Sequence, residues 1–319
     1  MENKKVMGID VGGSKILIGL MGEHNMIIEP RSYPTGTTNQ ESVVRSILDA
    51  VEQYWEAIAF IHKPAAIGIG LVGHVSTRKG IWRSSISLKI DEPVAICDIL
   101  RSRYWTPAFA DNDVHAATLA ELQYGAGQKV DDFIYINIGM GIVAGLVSGG
   151  KLIRGASNYA GEVGHMRSNQ VIGPDCKCGR HGCLEPMISG GGILRYAKLL
   201  LQDYPNSTLQ EYDENGTLHA GIIYNEARNG DVLSMLIVDY AVSALQETLV
   251  NLVNLLNPSM IVYGGGAIPS DINLDIIKTY VYENALPVAA RALKDICIST
   301  LDPRSVGLLG ACTIARAGS

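Results

Sequence analysis

Residues 173–186 read GPDCKCGRHGCLEP, which brings Cys176, Cys178 and Cys183 close together with Glu185 directly behind them. Thiolates are soft metal ligands, and three of them with one imidazole complete a closed, tetrahedral zinc site. Two histidines compete for the fourth place, His165 upstream and His181 between the second and third cysteines. Three reduced, buried thiols are the simpler reading. Clustering argues against it, since the remaining cysteines, Cys97, Cys297 and Cys312, are scattered along the chain. A closed site performs no reaction itself; it pins a loop. Glu162 and Glu185 flank that loop, and at fixed positions they make a binding wall rather than two loose acids.

A second chemistry lies in glycine turns. Asp10 is followed by Gly12, Gly13, Ser14 and Lys15; Gly139, Met140 and Gly141 form another turn, and Gly264 and Gly265 open a third. Without a Cβ, glycine lets backbone N–H groups approach phosphate oxygens closely, and Ser14 and Lys15 add a hydroxyl and a cation. Taken singly, each is also an ordinary hairpin turn. Neither a P-loop nor a Rossmann fingerprint opens a helix anywhere in the chain. Asn112 and Asp113 stand where a strand gives way to a helix, a place where both residue types serve as caps.

These residues need elements to hold them. Val6–Ile9 and Ile16–Met21 read as two strands joined by the first glycine turn, and a third run, MIIEP, stops at Pro30. Apolar residues at helical spacing follow from a cap at Thr38 or Asn39 to the residue before Pro64. AAIGIGLVG is a continuous apolar strand, buried on both faces. AFADNDVHAATLAELQYGAG predicts a short strand, a turn at 111–113 and a helix to about Tyr124. FIYINIGMGIVAGLVSGG then repeats the opening strand–turn–strand pattern. Helices over about 187–204 and 231–256, the strands in NPSMIVYGGG and ICIST, and a helix from about Ser305 complete the chain.

Strand and helix alternate without low-complexity segments, which predicts two α/β lobes with a cleft between them. The expected division is 1–111, with the C-terminal helix 304–319 packing back on it, and 112–303, carrying the zinc loop. The 319 residues have 47% hydrophobic and 18% charged side chains and a net charge of −6, which argues against a broad nucleic-acid footprint. MENKKVMGIDVGG has only a short apolar run ended by Asp10, so a secretory leader is not expected, and no segment is expected to reach the ~20 apolar residues of a membrane span. A cytoplasmic protein with reduced thiols is the expectation, and with it metal rather than disulfides.

IDVGGSK, ADNDVHAATLAE, AGEVGH, CKCGRHGCLE and IVYGGG, in this order and spacing, resemble the ROK family of repressors, open reading frames and sugar kinases. The resemblance runs from Val6 to about Ala315. It implies the actin-like, ribonuclease-H-like pair of lobes and an ATP-dependent kinase of a hexose or an amino or N-acetylated hexose, acting at the 6-hydroxyl. It also decides for His165 as the fourth zinc ligand, leaving His181 on the surface. Asp113 becomes the base that accepts the hydroxyl proton. Gly73, Asn112, Glu162, His165 and Glu185 become sugar-binding residues. Asp10, Gly12, Gly13, Ser14, Lys15, Gly139, Met140, Gly141, Gly264 and Gly265 then face ATP and Mg2+. The helix dipole is expected to keep Asp113 ionised at neutral pH. The remaining expectations are a homodimer with a small sugar as its partner, and neither nucleic acid nor membrane.

Departures from the family pattern matter. GMGIVAG stands where family kinases commonly carry GTGIGGG, so Met140 replaces a phosphate-facing threonine. His115 replaces the second Asn of the NDAN-like motif, Val72-Gly73 replaces a Pro-Gly turn, and an Asn-Leu pair is lost within SSISL at 84–88. His115 is expected to pack and His74 to reach the sugar, while His24, His62 and His219 read as ordinary surface or core residues. Three rivals accompany the kinase. A ROK repressor needs a winged helix–turn–helix, for which no room is expected before Val6. A sugar sensor without phosphotransfer follows from Met140, and a kinase of a polyol or disaccharide from SSISL.

Overall fold

A computed structural model describes residues 4–36, 39–168, 173–266 and 274–318. The chain forms two compact units, Met1–Lys129 with Lys151–Ala160 and Thr300–Ser319, and Val130–Gly150 with Gly161–Ser299. The boundary therefore does not fall after residue 111. The helix that begins at Asp113 packs on the C-terminal helix Val306–Gly318 and stays with the first unit.

The first unit is built on β1 (Val6–Val11), β2 (Lys15–Met21), β3 (Ile27–Pro34), β4 (Ile67–Leu71) and β7 (Ala108–Asn112), in the order β3-β2-β1-β4-β7. Between β4 and β7 lies a small antiparallel hairpin, β5 (His74–Ser76) and β6 (Ile81–Ser84). β1, β2 and β3 run antiparallel, and β1, β4 and β7 run parallel. β3 continues through Pro30 to Pro34 rather than stopping there. It is an edge strand, where a missing N–H costs no ladder bond. β4 is buried along its whole length. α1 (Gln40–Tyr54) and α2 (Ile96–Tyr104) contribute to the core with which β4 packs. The C-terminal helix lies against β1 and β4 as well. Glycine in β4 makes this approach possible: a Cβ on Gly68 would stand 1.9 Å from the Ala311 carbonyl oxygen.

α1 starts where expected, with Asn39 Oδ1 accepting from Ser42 N at 2.9 Å. Past Tyr54 the helix widens into a π turn, Trp55–Ala59, before closing with Phe60–His62 and a left-handed Lys63 ahead of Pro64. β7 leads straight into α3 (Asp113–Tyr124), so no separate turn occupies 111–113.

In the second unit β8 (Phe133–Ile138), β9 (Ile142–Ser148), β10 (Met260–Gly264) and β11 (Asp295–Ile298) follow the order β9-β8-β10-β11. β8 and β9 are antiparallel, and β8, β10 and β11 are parallel. This repeats β2-β1-β4-β7 strand for strand, with a glycine turn joining the antiparallel pair in each sheet. The doubled sequence pattern is thus a doubled topology. Helices Leu209–Glu214 and Ala220–Arg228 add a helical layer that local periodicity did not reveal. Helix Val232–Leu256 corrects the membrane expectation, since by length and composition it is apolar enough to cross one. It buries Leu233, Ile237, Leu245, Leu249 and Leu252 in the cores of its own unit.

Candidate active site and metal centre

The first glycine turn closes on itself, with Gly12 N–H donating to Lys15 O at 2.9 Å. Gly13 is open, with no atom near the position a Cβ would take, and Ser14 and Lys15 are exposed. Asp10 lies at the end of β1 beside Gly70 of β4. Its carboxylate sits against Gly307, where a Cβ would fall 2.4 Å from Oδ2. Burial raises the Asp10 carboxyl to about 6, against the opposing pull of the Lys15 charge.

Asn112 is the cap of α3, and Asp113 is the first helical residue. Asn112 Oδ1 accepts from Val114 N at 2.8 Å and His115 N at 3.1 Å, while Nδ2 donates to Gly73 O at 3.0 Å. Gly73 has φ 102°, and any Cβ there would lie 2.4 Å from Ser84 O. One Nδ2 hydrogen of Asn112 remains to donate outward. Asp113 is raised to about 7, first by burial and then by the charge of Asp10. The expectation of a low-pKa, dipole-held carboxylate is corrected. Desolvation and a like charge outweigh the helix terminus.

Behind this pair lies a polar network that the sequence did not announce. Asp111 is fully buried, and its Oδ2 accepts from Arg154 Nε at 2.9 Å and Nη2 at 2.7 Å. Its Oδ1 accepts from Thr77 Oγ1 at 3.0 Å and faces His115 Nδ1 at 3.1 Å. Burial pushes the Asp111 carboxyl up, but the hydrogen bond and charge of His115, with those of Arg154, hold it below the ordinary value. His115 is buried, as expected, and also bonded, with Nε2 3.3 Å from Ala160 O. His74 Nε2 lies 2.7 Å from Ser157 O. His62 meets Lys5, and His219 caps helix Ala220–Arg228. His24 sits in a left-handed turn. Arg154 was not singled out at all; a charged side chain just ahead of a Gly was its one signal.

In the second unit, His165, Cys176, Cys178 and Cys183 bring their ligand atoms within 4.8 Å of one another. Cys176 Sγ is 3.6 Å from His165 Nδ1, and Cys178 Sγ is 3.7 Å from Cys183 Sγ. His181 stays outside, exposed, with Nδ1 2.7 Å from Asp175 Oδ1. Backbone bonds from Cys176 N to Arg180 O and from Gly179 N to Cys176 O fold the cysteine loop into a knuckle. The other ring nitrogen of His165 points away from the thiols, 3.8 Å from Glu162 Oε2.

Glu185 begins helix Glu185–Ile188, and its carboxylate fills the space beside Gly141, where a Cβ would lie 2.7 Å from Oε2. Gly139 N–H donates to Gly141 O at 2.9 Å, the counterpart of the Gly12 turn, so this donor is already engaged. Met140 is 75% exposed and lies over Gly191 near the start of helix Gly190–Leu200. Gly264 and Gly265 meet packing demands of their own, a Cβ there falling 2.1 Å from Tyr135 Oη and 2.3 Å from Ile138 O.

The ROK family model matches residues 6–317. A glucokinase of Halalkalibacterium halodurans is 30% identical over 91% of this chain and 89% of its own. Among solved structures, a ROK family transcriptional regulator homologous to the E. coli MLC protein superposes with a TM-score of 0.86 at 25% identity, over 99% of this chain and 78% of that one. A ROK family glucokinase from Streptomyces griseus, in complex with glucose and AMPPNP, gives 0.78 at 29% identity over 98% of this chain and 100% of that one. Sugar kinases and transcriptional regulators are thus both among the relatives.

Proposed function

The chain belongs to the ROK family, and on that premise we propose that it is an ATP-dependent kinase that phosphorylates a hexose, or an amino or N-acetylated hexose, at the 6-hydroxyl. One observation carries the reading: Asp113 is a carboxyl pushed up to about 7 by burial and by Asp10, at the rigid start of α3. A base titrating near neutrality is matched to taking a proton from an alcohol, where an ordinary carboxylate is too weak. Asn112 would orient the sugar with its remaining amide hydrogen, and Glu162, Glu185 and His165 Nε2 would accept or share its other hydroxyl protons.

The first glycine turn with Ser14 and Lys15, and the turn at Gly139–Gly141, would receive the nucleotide. Asp10 would hold Mg2+, whose charge offsets that of the phosphates. Such transfer depends mainly on positioning and electrostatic stabilisation. The His165–Cys176–Cys178–Cys183 cluster fits Zn2+. Ligands at about 2.0–2.3 Å on a tetrahedron stand roughly 3.5–3.8 Å apart, which matches the 3.6 and 3.7 Å separations. Zinc there would anchor the loop that carries Glu162 and Glu185 and take no part in the reaction.

A second reading is a sugar sensor without phosphotransfer, favoured by the exposed Met140 in place of a hydroxyl. Sugar-phosphate formation from ATP, measured over hexoses, hexosamines, N-acetylhexosamines and polyols, separates the two. Turnover by wild type that disappears in Asp113→Asn supports the kinase. Tight sugar binding by calorimetry with no turnover of any sugar supports the sensor.

A further inference from the structure

The segment from Arg154 to Ala160 is tied to the first unit at three points: Arg154 to Asp111, Ser157 O to His74, and Ala160 O to His115. Two of these ties flank Tyr159. Its ring centroid lies 4.9 Å from that of His74, with the planes at 51°, and the residue is still 45% exposed. Asn158, just before it, takes a left-handed φ of 61°, a conformation uncommon outside glycine that turns the chain at this point. His74 directly follows Gly73, whose carbonyl holds the Asn112 side chain. The His74–Tyr159 pair therefore stands alongside Gly73 and Asn112, with ring surface left uncovered.

A fixed, partly open aromatic surface beside hydroxyl-binding groups suits a ligand that is apolar on its face and polar at its rim. A pyranose ring is such a ligand, with C–H bonds on its faces and hydroxyls around its edge. We propose that His74 and Tyr159 form an aromatic subsite for a second pyranose ring, so that the hexose phosphorylated at its 6-hydroxyl is accepted, and bound more tightly, as one unit of a disaccharide. The inference rests on the sugar-binding part of the kinase reading and not on phosphotransfer.

Calorimetry on wild type, Tyr159→Ala and Tyr159→Phe, with glucose, maltose, cellobiose and sucrose as probes, tests it without requiring turnover. At least one disaccharide should bind wild type fivefold or more tighter than glucose. Tyr159→Ala should remove that advantage, and Tyr159→Phe should keep it, with Tm in the absence of sugar as the check on folding. The proposal is overturned if no disaccharide exceeds glucose, if none of the four binds, or if Tyr159→Ala weakens glucose and disaccharide by the same factor. Tighter disaccharide binding without phosphorylation would defeat the kinase reading and leave the subsite standing.

Discussion

Asp113→Asn should move activity and stability in opposite directions, and the split should depend on pH. The carboxyl goes from 3.8 to about 7 on folding. About three pK units correspond to ~4 kcal/mol, the ceiling on the cost of keeping Asp113 ionised in the folded protein. The residue is not sealed from solvent, and screening brings the figure to ~2 kcal/mol. The sign follows from the raised value. The stability that Asp113 contributes is fully present below pH 4, where it is neutral folded and unfolded, and is lost as pH rises through about 7. Asparagine carries no charge at any pH. Its Tm should match wild type near pH 4 and exceed it at pH 8, by roughly 4–8 °C for a unit of this size. Scanning calorimetry at both pH values checks this, while ATP-dependent turnover at pH 8 should fall by orders of magnitude. A Tm difference that is the same at both pH values would refute the buried, charge-coupled carboxyl. Near-wild-type turnover would reduce Asp113 to the first residue of a helix.

Other outcomes can be checked beside it. Wild type should carry about one zinc per chain by metal analysis, and Cys178→Ser should lose both metal and much of its stability, because structural zinc binding is coupled to folding. His165→Ala should lose zinc and His181→Ala keep it; the reverse would name the wrong histidine. Met140→Thr should improve kcat/KM for ATP at least several-fold and up to roughly one to two orders of magnitude, since a hydrogen bond to a charged oxygen contributes ~1.5–3 kcal/mol and a thioether cannot donate one. Asp111→Asn should lower stability by about 3 kcal/mol, because His115 and Arg154 lose the carboxylate they share, and a thermal melt with unchanged zinc content would show it.

The elements were legible where a local rule decides them. Apolar runs broken by glycine located both hairpins, and Asn39 marked the start of α1. Three soft ligands in a short loop pointed to the cysteine cluster that the structure gathers with His165, but the choice between His165 and His181 needed the family, since both lie within reach along the chain. The Asp111–Arg154 pair joins residues whose separation no periodicity encodes. The unit boundary escaped for the same reason: α3 follows β7 directly, and only its packing against a helix at the far end of the chain assigns it to the first unit. The raised carboxyl of Asp113 was read backwards. A helix terminus is visible in sequence, whereas the burial that outweighs it, and after it the Asp10 charge, come from packing with other elements.

The helix Val306–Gly318 belongs to the first unit, yet the ribosome makes it after the whole of the second. During synthesis the β1–β4 face around Gly8 and Gly68 has no covering helix, although every strand of its sheet has already emerged. At roughly 5–20 residues per second that interval lasts on the order of ten seconds or more. Through it the nascent first unit presents an apolar strip, while the second unit, complete by Ser299, can fold first. In order of completion, then, the amino-terminal unit is the later of the two.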